Sequence, residues 1–172
     1  TGSFVGTVDF DPDPLEIANL VNVNVAGDVF VSKLNSSGNY VWAKQFGGAS
    51  SGQGNSVVVD SSGNVYTTGD FEGTVDFDPG AGTVNLSSAD SEDVFVSKLD
   101  SSGDLVWAKS FGGTRIDFGT SVAVDSSGNV YTTGWFQGTG DFDPGAGTTN
   151  LTTNGSTVGD DVFVSKLDSA GD

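Results

Sequence analysis

Cysteine and histidine are both absent from this chain of 172 residues. Without cysteine there is no disulfide, no thiolate nucleophile and no thiolate-held zinc or iron–sulfur site. Without histidine the chain lacks the commonest general base and the commonest side-chain ligand of transition metals. Together the two absences exclude a serine hydrolase triad of the usual kind and a zinc hydrolase site.

Positive charge is scarce, with 6 Lys and Arg against 23 Asp and Glu and a formal net charge of −17. This charge repels a phosphate backbone, so nucleic acid is excluded as a partner. The sequence has no run of 18 apolar residues, so we predict no membrane span. The acidic excess favours solubility outside the cell or a need for divalent cations. Methionine is also absent, so the sequence begins without an initiator methionine. This is compatible with an export signal upstream of residue 1.

One string, Asp-Val-Phe-Val-Ser-Lys-Leu, occurs three times, with copies 65 and 68 residues apart, at positions 28–34, 93–99 and 161–167. A period of this kind is typical of repeat architectures. A second string, the turn Asx-Ser-Ser/Ala-Gly-Asx, occurs five times between β-rich runs, at positions 35–39, 60–64, 100–104, 125–129 and 168–172. The alternating spacing of these turns predicts two hairpins, and therefore four strands, in each repeat.

This pattern predicts an all-β chain of tandem four-stranded antiparallel blades, as in a β-propeller, with about two and a half units. Both faces of such a blade are apolar because blades stack on blades, and we interpret Trp42 and Trp107 as blade-packing residues. We divide one continuous array into a partial repeat at 1–55, a complete repeat at 56–120 and a partial repeat at 121–172.

The strings VDSSGNVYTTG, DVFVSKLDSSG and LVWAKSFGG resemble the bacterial SBBP-type β-propeller repeat family, and the resemblance covers nearly the whole chain. It implies a four-stranded blade and an extracellular or cell-surface setting, and it brings no catalytic motif. The chain departs from a plain blade in the long inserts between the hairpins, at residues 70–92 and 135–160. Since propellers close with about 4 to 8 blades, we expect further repeats of the same protein, or several copies that complete a ring or a filament.

An Asp-Phe-Asp-Pro motif in the inserts, with a third copy near the start of the chain, is the strongest candidate for a metal site. In an extended strand both carboxylates project from one face, roughly 6.6 Å apart, and the Phe between them is buried on the other. Calcium is the cation that this arrangement favours. Two alternatives stay open: the aspartates cap turns, or they pair with Lys33, Lys98 and Lys166. The candidate ligands are Asp9, Asp11, Asp76, Asp78, Asp141 and Asp143.

We predict that the chain is not an enzyme. Glycoside hydrolysis needs only two carboxylates about 5 to 9.5 Å apart, but no motif links any pair of the acids that break the repeat, which are Glu16, Asp70, Glu72, Glu92 and Asp117. A local ion pair with Asp117 explains Arg115. The predicted function is an extracellular structural or adhesive scaffold that assembles into a filament or a larger propeller. The alternative is a binding module for glycan or protein, which exposed aromatics around Trp135 and Phe136 would favour.

Overall fold

The computed structural model describes residues 1–22, 26–48, 51–154 and 159–172. These residues form strands and turns without a helix, which confirms the all-β prediction. In chain order the strands are β1 (Gly2–Phe4), β2 (Gly6–Asp9), β3 (Asn19–Asn22), β4 (Asp28–Leu34), β5 (Tyr40–Gly48), β6 (Gly52–Val59), β7 (Val65–Phe71), β8 (Thr74–Asp76), β9 (Asn85–Ser87), β10 (Asp93–Leu99), β11 (Leu105–Gly113), β12 (Asp117–Val124), β13 (Val130–Gln137), β14 (Thr139–Asp141), β15 (Asn150–Thr152) and β16 (Asp160–Leu167).

Three antiparallel sheets repeat the predicted blade. The second blade is complete and has the order β6-β7-β10-β11, while the first contains β1-β4-β5 and the third contains β12-β13-β16. The hairpin β6–β7 runs in register from Gly52 opposite Phe71 to Val59 opposite Val65, with a bulge at Asn55. Beside this bulge Gly69 lies so close to the carbonyl oxygen of Gln53 that a Cβ would overlap it. The four-stranded antiparallel blade is therefore confirmed.

The five predicted turns all have one geometry, and the first four join the two strands of a hairpin. In the turn at 60–64 the N–H of Asp60 donates to the carbonyl of Asn64, and the N–H of Gly63 donates back to the carbonyl of Asp60. Gly63 has a φ of 84°, a conformation that glycine adopts without steric cost. The side-chain Oδ1 of Asp60 accepts from the N–H groups of Ser62 and Asn64, as the Asx-cap interpretation requires.

Each insert contains a short hairpin that was not predicted. The hairpin β8–β9 follows β7, yet β8 pairs with β5 of the preceding blade, with Gly47 opposite Asp76. In the same way β14 pairs with β11, with Gly112 opposite Asp141. The insert of one blade therefore extends the sheet of the blade before it. Residues 155–158 of the last insert lie outside the described part of the chain.

The hydrophobic core lies between blades. We call the packing of the first blade on the second the first junction, and that of the second on the third the second junction. The first junction buries Val29, Phe46, Phe77 and Phe95 with seven further residues. The second junction buries the equivalent set, which includes Val94, Val96, Phe111, Phe142 and Phe163. Each junction is stabilised by burial of apolar area from both blades.

Candidate functional site

Each junction is fastened by a lysine and a tryptophan from one blade that reach the turn of the next. Lys33 Nζ and Trp42 Nε1 both donate to the carbonyl of Ser101, at 2.9 and 3.2 Å. Trp42 is also buried in the first junction, as predicted for a blade-packing residue. The lysine ammonium lies 5.9 Å from the Trp42 ring centre, within the range of a cation–π contact. One backbone carbonyl thus receives two donors from the neighbouring blade.

The second junction repeats this clamp with other residues. Lys98 Nζ and Trp107 Nε1 donate to the carbonyl of Ser169, at 3.4 and 3.3 Å. Trp107 packs against the second core, which confirms its predicted role. Lys109 adds an ion pair to Asp172 at 3.0 Å. Exposed ion pairs contribute little, so the buried core provides most of the stability of each junction.

The outward face of the third blade exposes residues whose counterparts are buried in the second junction. Val162 and Val164 are 83% and 75% exposed. The residues at the same positions of the second blade, Val94 and Val96, are fully buried. Lys166 lies over the Tyr131 ring at 5.7 Å, as Lys98 lies over Tyr66 at 5.2 Å. The face is therefore built like a junction surface.

The opposite end of the array presents the complementary face. Leu34 of the first blade is 47% exposed, whereas Leu99 at the same position of the second blade is fully buried. Phe4, Phe10 and Phe30 form an aromatic cluster here, with ring centres 4.8 to 6.4 Å apart. The matching cluster of the second blade receives Phe46 from the blade before it, 6.4 Å from Phe95.

Trp135, which breaks the repeat, is stacked on Phe118. The two rings are almost parallel, at 8°, with centres 4.7 Å apart. They stand directly opposite each other on β13 and β12 of the third blade. The equivalent pair in the second blade is Asp70 and Gln53, which are polar. The third blade thus carries an aromatic pair, partly exposed, that the repeat does not require. Phe136, which was expected to be exposed beside Trp135, is buried in the second junction.

The Asp-Phe-Asp-Pro motif forms two successive turns capped by its own carboxylates. Asp76 Oδ1 accepts from the N–H groups of Asp78 and Val84, at 3.0 and 2.8 Å. Asp78 Oδ1 accepts from the N–H of Gly80 at 2.8 Å. Phe77, between the two aspartates, is fully buried in the first junction, as predicted. These hydrogen bonds are those of the turn-capping alternative.

The other two copies of the motif have the same geometry. Asp141 and Asp143 accept from the N–H groups of residues 143, 149 and 145, and Asp9 and Asp11 from those of residues 11, 18 and 13. Donation from the backbone lowers the pKa of Asp9 and Asp141 below the ordinary aspartate value. In the described parts of the chain no three acidic, histidine or cysteine side chains converge on a metal position. Calcium at these aspartates stays a prediction.

Comparison with known families gives two matches within the chain. The family described as SBBP, beta-propeller repeat, matches residues 41–70 and 106–142. These two segments of the chain are SBBP beta-propeller repeats. Each matched segment begins on the outer strand of one blade, β5 or β11, and continues through the first two strands of the next blade. An SBBP repeat therefore spans a junction, and it includes the tryptophan of the clamp.

Two curated proteins resemble this SBBP array over part of their length. The chain is 30% identical, in an alignment of 110 residues that covers 56% of the chain, to an uncharacterized WD repeat-containing protein, L264, of Acanthamoeba polyphaga mimivirus. It is 30% identical over 107 residues, or 62% of its length, to the regulatory protein FlaEY of Caulobacter vibrioides. The chain spans 8% and 11% of these relatives.

Two predictions about charges in the SBBP repeats are wrong. Lys33 and Lys98 do not neutralise the motif aspartates, because they clamp turn carbonyls of the next blade, and Lys166 lies over Tyr131. Arg115 forms no ion pair with Asp117 within the described residues. Asp117 is buried and accepts from the N–H groups of Gly113 and Gln137, whereas the Arg115 side chain lies against Gly138.

Three buried aspartates in the second SBBP blade and its neighbour have raised pKa values. Burial raises the pKa of Asp70 and Asp117 to about 6 and that of Asp93 to about 7, with a further rise at Asp93 from the charge of Asp117. Asp70 and Asp117 break the repeat, which made them candidates for catalysis. Asp93 belongs to the repeated string, so the sequence did not identify it as a candidate. All three are buried in the blade sheets, where a polymeric substrate has no access.

In the described parts of the chain, no helix is long and apolar enough to cross a membrane.

Proposed function

We propose that this chain is a non-enzymatic scaffold, acting outside the cell or on its surface, whose blades stack on further SBBP blades. These blades come from the same protein or from a second copy, and the product is a larger propeller or a filament. The observation that carries the proposal is the exposure of Val162 and Val164 on a face whose counterpart is fully buried inside the chain.

Four features support blade stacking as the use of this face. An apolar sheet face costs free energy when water covers it, and the internal junctions exist because they remove that cost. The exposed Leu34 and the Phe4 cluster at the other end of the array supply the partner surface. Inside the chain, the turn at 100–104 presents a backbone carbonyl to Lys33 of the preceding blade. The turn at 35–39 has the same geometry and offers the equivalent carbonyl to a lysine of a further blade. Strand edges at both ends favour addition of further strands.

The test is the solution mass of the chain by light scattering after size-exclusion chromatography, over a hundredfold range of concentration. We expect the mass of the wild type to rise with concentration, and Val162→Asp with Val164→Asp to abolish the rise. Val106→Asp is the matched control, because Val106 is a strand valine that is already 52% exposed. A wild type that stays monomeric and folded at every concentration overturns assembly between copies.

The second candidate function is recognition of a glycan or a protein, and the stacked Trp135 and Phe118 favour it. Partly exposed aromatic rings supply flat apolar contacts of the kind that interfaces use. The relative from mimivirus is named for WD repeats, which are a propeller architecture. Titration of oligosaccharides with tryptophan fluorescence as the readout tests this function. Binding by the wild type that Trp135→Ala abolishes and Trp107→Phe preserves would support it, and no quenching by any glycan would refute glycan recognition.

A further inference from the structure

Two buried carboxylates meet at the second junction, beside Gly112. A Cβ on Gly112 would lie 2.5 Å from Asp93 Oδ1 and 2.6 Å from Asp117 Oδ2, so both oxygens face the same point of the backbone. Asp93 belongs to the second blade and Asp117 to the third, and their residues are 6% and 0% exposed. The pair therefore joins two blades in a place that solvent does not reach.

Among the described residues, no positive charge compensates this pair. Asp93 Oδ1 is buried without a hydrogen-bond partner there, while its Oδ2 accepts from the N–H of Ala89 at 3.2 Å. Both oxygens of Asp117 accept from backbone N–H groups. Within the described residues neither carboxylate has a lysine or arginine in ion-pair range. Two carboxylates that face the same backbone position cannot both be ionised in a dry site without a large cost in free energy.

Four further acidic residues and one arginine lie on the segments next to the pair. Asp70 on β7 is buried and accepts from Asn55 Nδ2, and Glu92 directly precedes β10 and acts on Asp70. Asp161 on β16, in the same cross-strand row as Asp117, accepts from the N–H of residue 154. Asp141, whose backbone pairs with Gly112, caps its own turn. Arg115, in the connection between β11 and β12, packs on Gly138.

The first junction is the natural comparison, because it lacks the second carboxylate. Asp28 occupies the position of Asp93, and a Cβ on Gly47 would lie 2.6 Å from its Oδ1. Gly52 stands where the third blade has Asp117. The amide of Gln45 donates to Asp28 Oδ2 at 3.2 Å, a contact that Ser110 at the same position of the second blade does not make in the described structure.

We propose that Asp93 and Asp117 share one proton, and that loss of this proton as the pH rises loosens the packing of the third blade on the second. The first junction has a single carboxylate, Asp28, without a second negative charge beside it, so its packing responds less over the same range. The raised pKa values of Asp93, to about 7, and Asp117, to about 6, agree with this assignment. Because the pair lies inside one chain, the inference is independent of assembly between copies.

The sign of the effect follows from linkage. The folded chain binds a proton that the unfolded chain releases near the ordinary aspartate pKa of about 4. The contribution of the shared proton to stability is therefore full below about pH 4 and falls as the pH rises towards about 7. For each proton held by the folded state, the unfolding equilibrium constant rises by up to about tenfold per pH unit in this window. Asp70 and Asp28 contribute in the same direction, because burial also raises their pKa values.

The direct experiment is a carbon-13 NMR titration of the aspartate side-chain carboxyl carbons from pH 4 to pH 9. We expect the signals of Asp93 and Asp117 to shift together, with a midpoint between pH 6 and pH 7. In Asp117→Asn the midpoint of Asp93 moves to lower pH, because the neighbouring negative charge is gone. Asp93 already ionised at pH 5 overturns the proposal, and so does a midpoint of Asp93 that Asp117→Asn leaves unchanged.

The second measurement shows which of the two junctions loosens when the pH rises. Amide hydrogen exchange at pH 6 and pH 8, corrected for the intrinsic rate, compares β12 at the second junction with β5 at the first. We expect protection of β12 to fall several-fold, by up to about tenfold for one proton, between these values in the wild type. We expect a smaller fall in Asp117→Gly, which copies the first junction. Asp28→Asn is the matched control and keeps the pH response of β12. Equal loss in β5 and β12, or a response to chelator in place of pH, contradicts a shared proton.

Discussion

Replacing Phe77 by alanine tests whether the insert hairpin is part of the core. Phe77 is fully buried between the first and second blades, and its ring centre lies 5.3 Å from Phe46, 5.4 Å from Phe71 and 4.9 Å from Phe95. Truncation of a buried phenylalanine costs about 3–5 kcal/mol. Since each aromatic pair contributes about 0.5–1.5 kcal/mol beyond the burial of area, we expect a value near the upper end of that range.

The assay is urea unfolding followed by circular dichroism. With a slope of about 2 kcal/mol per molar urea, the loss at Phe77→Ala lowers the midpoint by about 2 M. Phe10→Ala is the matched control, because Phe10 has the same place in the motif, is half-buried and contacts Phe4 and Phe30 only. We expect about 1–2 kcal/mol there, since less apolar area becomes exposed.

Equal losses below about 1 kcal/mol at both positions would refute the reasoning, since they fall short of the cost of a core phenylalanine. If Phe77→Ala does not fold, Phe77→Leu keeps part of the buried volume and places the comparison within the measurable range.

Three further predictions concern the metal, a glycine and the clamp. If calcium binds the motif, chelation lowers the melting temperature of the wild type, and Asp76→Asn with Asp78→Asn removes this response; a melting temperature that ignores chelator contradicts the calcium prediction. Gly69→Ala places a Cβ on the carbonyl oxygen of the paired strand, so we expect a loss of about 1–3 kcal/mol in urea unfolding. Trp107→Phe removes the Nε1–H donated to Ser169, and thermal unfolding should register a loss of about 1 kcal/mol; an unchanged midpoint would show that the clamp is not stabilising.

The local elements of this fold could be predicted because their signals are local. The turn at 60–64 combines an Asx cap with a glycine that takes a positive φ, and both signals lie within five residues. The burial of Phe77 followed from strand alternation in the same way. Because the repeated string and the turns recur along the chain, their spacing predicted a four-stranded blade.

The sequence predicted that Trp42 and Trp107 pack between blades, but the individual partners across the junctions could not be predicted from it. The pairing of β8 with β5 joins residues about thirty positions apart through Gly47 and Gly48, which carry no strand signal of their own. Lys33 reaches a carbonyl 68 positions away, and no charge pattern identifies a neutral acceptor. Asp93 and Asp117 meet only because β12 packs across the second blade, so their shared site needed the three-dimensional arrangement.

The pairing of each insert hairpin with the preceding blade has a mechanical consequence. Two neighbouring blades are linked by the covalent chain, by their side-chain core and also by backbone hydrogen bonds from β8 to β5 or from β14 to β11. A pulling force cannot extend the insert of one blade without first opening the sheet edge of the blade before it. In an array of such units, load passes from blade to blade through the backbone, so extension should proceed by release of whole junctions.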